Sequence, residues 1–205
     1  LFFSTHDPFP DFAFNLGSGQ NIYYLSYYGL YNPYILISYL FPHVKMITYL
    51  ITVNCLIIII STILFYYFLR KHHHSEKISF ITAFLFLTSG PLIFHAKRHI
   101  MFINYFPFLI SGLFAIDQFF DKNKSSLLIL STTLIILSSY YFSIPSLIVL
   151  YLYYIYKYIQ KEKNITIKKL LKKTSHIIPP FLISIMISAL LLLPTVYTLL
   201  NGRAY

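Results

Sequence analysis

A single cysteine, Cys55, excludes an internal disulfide and any cysteine-based metal centre. Acidic residues are almost as scarce: Asp7, Asp11, Glu76, Asp117, Asp121 and Glu162 complete the set, so few groups can act as a general base. Charged residues of either sign make up 11% of the 205, against about a quarter in a soluble domain. No P-loop, GxGxxG, GxSxG, HExxH or CxxC pattern occurs, and Gly17-Ser18-Gly19 is too short for a nucleotide-binding loop. The sequence starts at Leu1 with neither a basic n-region nor a small-residue cleavage site. The expectation is a piece of a longer protein, or a chain whose first span is missing.

What is present is apolar. Hydrophobic residues reach 57% and the mean hydropathy is +0.66, which defines an integral membrane protein. The net charge of +10 sits in connections between apolar runs, where it sets topology; no nucleic-acid partner is expected. The apolar runs lie at about 46–69, 78–94 (broken by Gly90-Pro91), 100–120, 125–141, 143–158 and 177–193. The expected fold is all-α, a polytopic bundle of about six spans over 46–199. Residues 1–45 form an extracytoplasmic loop, and 200–205 begin another extracytoplasmic segment. Within the loop, Tyr31 to Pro42 is too short to span and rich in aromatics, so an interfacial or re-entrant helix is expected there.

Charge bias orients the chain. The connections at 70–77, 121–124 and 157–173 hold twelve of the sixteen Lys and Arg, and Lys45, Lys97, Arg98 and Arg203 lie on the other side. The three basic connections are therefore expected in the cytoplasm, with both ends of the chain outside. The lysines at 161–173, interleaved with Ile165, Ile167, Leu170 and Leu171, suit an amphipathic helix on an anionic leaflet. His72-His73-His74 reads as part of a basic connection.

Candidate chemistry then belongs on the outer face. The stretch Asp11 to Pro42 carries seven of the twenty tyrosines, one acid and no Lys or Arg. Asp7 and Asp11 are the outer carboxylates and, with His6, the candidate bases for deprotonating an acceptor hydroxyl. In His95-Ala96-Lys97-Arg98-His99, the cations suit a lipid headgroup or lipid-linked phosphate, Arg98 offering a planar fork to phosphate oxygens. His95 and His99 would share a helix face, but no carboxylate or further histidine lies nearby to complete a metal site. No cofactor is evident, and a divalent cation has no support in the sequence.

The order NLGSGQN (Asn15 to Asn21), then YLSYYGLYNPYILISYLFP (Tyr24 to Pro42), resembles the extracytoplasmic loop of the bacterial YfhO-type membrane proteins. Thr88 to Lys124, the hairpin Ser138 to Tyr158, and Ser188 to Tyr205 follow in the family's order. The resemblance implies a GT-C-type glycosyltransferase, which moves a sugar from a polyprenyl-phosphate carrier to a cell-envelope acceptor such as lipoteichoic acid. It implies a substrate-facing loop with Asn15, Gly17, Gly19, Gln20, Asn21, Tyr27 and Tyr28, and a wall extending to Pro33. The acidic residue that such enzymes carry early in this loop would lie before Leu1, and neither Asp7 nor Asp11 matches it. Catalysis by Asp7 or Asp11 and phosphate binding by Lys97, Arg98 and His99 are the resulting expectations. The alternative is a polytopic transporter or flippase of a lipid-linked substrate.

Overall fold

A computed structural model describes residues 12–13, 20–21, 31–90, 92–94, 103–162 and 174–200. Regular structure among them is helical except for one two-residue antiparallel ladder in the loop, β1 (Phe12–Ala13) with β2 (Gln20–Asn21), which pairs Phe12 with Asn21 and Ala13 with Gln20. The helices are α1 (Pro33–Ser38), α2 (Met46–Lys71), α3 (Glu76–Leu87), α4 (Phe106–Lys122), α5 (Ser126–Ser138), α6 (Tyr140–Lys161), α7 (Ile178–Ile187) and α8 (Ala189–Leu200). A 3-10 turn, Ser175–Ile177, leads into α7.

Helix boundaries follow local chemistry. Asn32 caps α1 with its side chain, ahead of Pro33, whose missing N–H costs nothing in a first turn. Ser75 caps α3 in the same way, with Glu76 favourably placed at the positive end of the helix dipole. Asn123 ends α4 in the left-handed region at φ 54°, a conformation asparagine tolerates. Ser139 both ends α5 and caps α6, its extended backbone (φ −159°, ψ 105°) breaking the hairpin. The break thus falls earlier than the boundary expected between the runs 125–141 and 143–158, and Pro145 lies inside α6.

Among the described residues, two helices, Met46–Lys71 and Tyr140–Lys161, are long and apolar enough to cross a membrane, and the α7–α8 pair makes a third if counted as one span. That is two to three candidate spans where the sequence leads one to expect about six. The shortfall comes from helix length. At about 1.5 Å per residue, α3 and α5 reach only about 18–20 Å against a hydrocarbon core of about 30 Å. The expected last span at 177–193 is instead a pair bent by 73° at Ser188.

The bundle is apolar outside and buries polar side chains beside apolar ones inside. Ile47, Ile51, Leu56, Ile59, Ile60 and Ile63 of α2 are exposed, whereas Asn54 and Ser61 of the same helix are buried. Lipid cannot drive helices together by the hydrophobic effect, so small and polar side chains make the contacts. Ser184 of α7 shows this: its hydroxyl meets Thr132 Oγ1 of α5 and the carbonyl of Ile129. The apolar core lies among α4, α5 and α6, where Ala115, Ile116 and Phe119 meet Leu128, Ile135, Leu150 and Tyr154. Gly112 lets α6 approach α4, since a Cβ there would stand 3.0 Å from both methyl carbons of Leu150.

Candidate functional site

The helices alternate in direction, giving the bundle a loop end and a basic end. At the loop end, Asn32 is wholly buried and ties α1 to α5. Its Oδ1 accepts from Tyr34 N–H at 3.0 Å, and its Nδ2 donates to the carbonyl of Ser138 at 3.1 Å. Tyr49 of α2 donates to the carbonyl of Tyr34 at 2.7 Å. Tyr34 stacks on Phe108 of α4, and Tyr105 stacks on Phe142 of α6 with centroids 5.1 Å apart. Burial pushes the Tyr34 phenol up to about 12, so it stays protonated.

The neighbour of Tyr105 is unusual. Asn104 is fully buried, yet among the described residues neither its Nδ2 nor its Oδ1 has a hydrogen-bond partner, and the Ser138 hydroxyl has none either. Each such group costs about 1–3 kcal/mol when buried unpaired. Among the described residues the buried hydroxyls of Ser79, Thr133 and Ser188 also lack partners, but Asn104 is the one with both a donor and an acceptor group unused.

The basic end is built around Asp117, which is 1% exposed. Lys71 Nζ at 2.9 Å and His72 Nε2 at 3.1 Å reach its Oδ2, while Tyr153 Oη at 2.7 Å and Lys157 Nζ at 3.1 Å reach Oδ1. Four donors from the ends of α2 and α6 thus meet one carboxylate on α4, two on each oxygen. Tyr153 donates to Asp117 and accepts from His72 Nε2 at 2.9 Å, which assigns the neutral imidazole proton to Nε2. Phe68 and Phe114 wall the cluster, with Lys71 Nζ 5.3 Å from the Phe114 centroid. Burial lowers the pKa of His72 below its ordinary value; Asp117 opposes this, and Lys157 and Lys71 add to it.

Of the expected site residues, Asp7, Asp11, Asn15, Gly17, Gly19, Tyr27, Tyr28, Lys97, Arg98 and His99 lie outside the described residues. Gln20 and Asn21 form β2. Asn32, which falls within the expected substrate-facing wall, is instead a buried clamp between α1 and α5. From the sequence alone Asp117 lies near the cytoplasmic boundary of its span with no role assigned, and His72 reads as part of a basic connection. The available signal was the setting of Asp117 between Phe114-Ala115-Ile116 and Phe119-Phe120. A carboxylate in so apolar a run must find cations, and only neighbouring helix ends carry them.

These features define a helical membrane protein with apolar, outward-facing helices and its buried charge gathered at one end. The model of the bacterial membrane protein YfhO family matches residues 5–205, and the chain belongs to that family. No curated protein and no solved structure matches it.

Proposed function

We propose that the protein is a GT-C-type glycosyltransferase of the bacterial plasma membrane. It would move a sugar from a polyprenyl-phosphate carrier to an extracytoplasmic cell-envelope polymer such as lipoteichoic acid. Its loop end would face outward and its basic end the cytoplasm, with about six crossings once the shorter helices are counted. Family membership supports this reading. The structural observation that carries it is the buried amide of Asn104 at the loop end, which has no partner among the described residues. A sugar hydroxyl both donates and accepts, and so matches both ends of that amide.

In the proposed reaction, the acceptor hydroxyl oxygen attacks the anomeric carbon as the bond from that carbon to the carrier phosphate breaks. Asp7 or Asp11 takes the hydroxyl proton. Lys97, Arg98 and His99 hold the departing phosphate, the role for which their charge and fork geometry are suited. The transporter alternative calls for charge at midplane along a substrate path. Asp117 sits at the level of Lys71, the last residue of a 26-residue helix, which speaks for the enzyme.

The test is transfer of sugar from a polyprenyl-phosphate donor by membranes carrying variants of the full-length protein. Lys97→Ala with Arg98→Ala should lower transfer by roughly a hundredfold, with the protein still inserted at normal level. Unchanged transfer would rule out the phosphate role. Asn104→Ala should raise KM for the donor, and an unaltered KM would remove Asn104 from the site.

A further inference from the structure

The Asp117 cluster has more positive charge than it neutralises. With His72 neutral, two ammonium groups face one carboxylate, so one positive charge is left over. Both oxygens of Asp117 are fully engaged, whereas each ammonium has three donors and directs one to Asp117. Lys157 is only 20% exposed and Lys71 44%. At 20% exposure the Lys157 charge is costly unless an anion meets it. Cations still dominate the surroundings: among the described residues at this end, Arg70, Lys77, Lys122, Lys124 and Lys161 outnumber the exposed acids Glu76, Asp121 and Glu162, of which Asp121 lies close enough to act on Tyr153.

Depth selects the kind of anion. Lys71 ends a helix of 26 residues, about 39 Å at about 1.5 Å per residue, longer than the hydrocarbon core by about 9 Å. The cluster therefore sits at headgroup level, where lipid phosphates are the anions at hand. Apolar walls continue beside it: Phe114 lies under Lys71, and Phe120 lies 5.1 Å from Lys161 Nζ.

We propose that Lys71 and Lys157, held apart by Asp117 at the basic end of α2, α4 and α6, form a binding site for the phosphate of an anionic membrane phospholipid. This site stands at the opposite end of the bundle from the proposed transfer chemistry and does not depend on it. Asp117 is a positioning residue here. It fixes the two ammonium groups on either side of one carboxylate while their remaining N–H groups meet phosphate oxygens.

Native mass spectrometry of the full chain, with phosphatidylglycerol or phosphatidylcholine added in equal amounts, tests the proposal. The wild type should hold phosphatidylglycerol roughly tenfold more strongly, and equal retention would overturn the site without recourse to any variant. Lys71→Met with Lys157→Met should remove the preference; a preference that survives in the folded double variant would also overturn it. Asp117→Asn frees both lysines from their competing carboxylate and should keep or strengthen the preference even as the fold weakens. A purely structural cluster would show no such opposite movement. Millimolar inorganic phosphate should fail to displace the lipid, and complete displacement would assign the site to soluble phosphate instead.

Discussion

At the residue scale, stability hangs on Asp117 more than on any other single side chain. Removing one member of a buried ion pair strands its partners, at about 3–5 kcal/mol. Asp117→Ala leaves Lys71, Lys157, His72 and Tyr153 without their shared acceptor. It should lower the thermal midpoint followed by circular dichroism in detergent far more than Tyr153→Phe, which deletes one bond to a charged group worth about 1.5–3 kcal/mol. Equal losses would show that the lysines do not depend on the carboxylate. His72 adds a pH dependence. Its pKa in the folded protein lies below the ordinary value, so the unfolded chain binds the proton more readily and stability falls as pH drops below about 6.5. The groups facing it are Asp117, Lys71, Lys157 and Tyr153. His72→Gln should flatten the midpoint between about pH 7 and pH 5.5, and a slope identical to wild type would place the titration elsewhere.

At the element scale, the joints are polar and the packing depends on small residues. Asn32 both caps α1 and reaches the carbonyl of Ser138. Asn32→Asp keeps the cap and loses the reach, whereas Asn32→Ala loses both. The first should free α1 from α5 and the second should unwind it as well, each costing about 1–3 kcal/mol. Limited proteolysis after Tyr39 separates the two outcomes. Gly112→Ala gains about 1 kcal/mol in helix propensity but drives a methyl to 3.0 Å from Leu150, and Leu150 is fully buried and has nowhere to go. A net loss of about 1–2 kcal/mol is expected, relieved by adding Leu150→Val. Failure of the second change to help would place the clash elsewhere. The long apolar run behind α2 was legible in the sequence; the caps at Asn32 and Ser75 came only with the structure, although they depend on neighbours in the chain. Helix ends at Thr88 and Ser139 were less legible: the Thr88 hydroxyl donates to the carbonyl of Phe84 and the Ser139 hydroxyl accepts from Phe142 N–H, local bonds that end or start helices without the Gly or Pro that punctuates a sequence. The Asp117 cluster was illegible for a different reason. Its members are 45, 46, 36 and 40 positions from Asp117 in the chain, and only the crossing of α2, α4 and α6 brings them together.

At the scale of the whole molecule, the two ends of the bundle carry different chemistry, and their sidedness follows from charge. Chain direction puts Asn32, Tyr105 and Ser139 at one end and Lys71, Lys122 and Lys157 at the other. If the excess of Lys and Arg sets orientation, the second end faces the cytoplasm. Cys55 is exposed on the apolar flank of α2 and is the one cysteine of these 205 residues, so Cys55→Ala, with any cysteine elsewhere in the full-length protein replaced as well, gives a cysteine-free background at little cost. Single cysteines replacing His43, His74, Lys124 or Glu162 can then be tested in intact cells with a membrane-impermeant maleimide. Position 43 precedes α2 at the loop end and should react from outside. Positions 74, 124 and 162 lie at the basic end and should react only after the membrane is opened. Labelling of all four from one side would mean that α2 does not cross, despite its 26 residues. Labelling of 74, 124 and 162 from outside, with 43 protected, would invert the protein. Asp117 and its lysines would then face the envelope, and the proposed transfer site at Asn104 would face the cytoplasm.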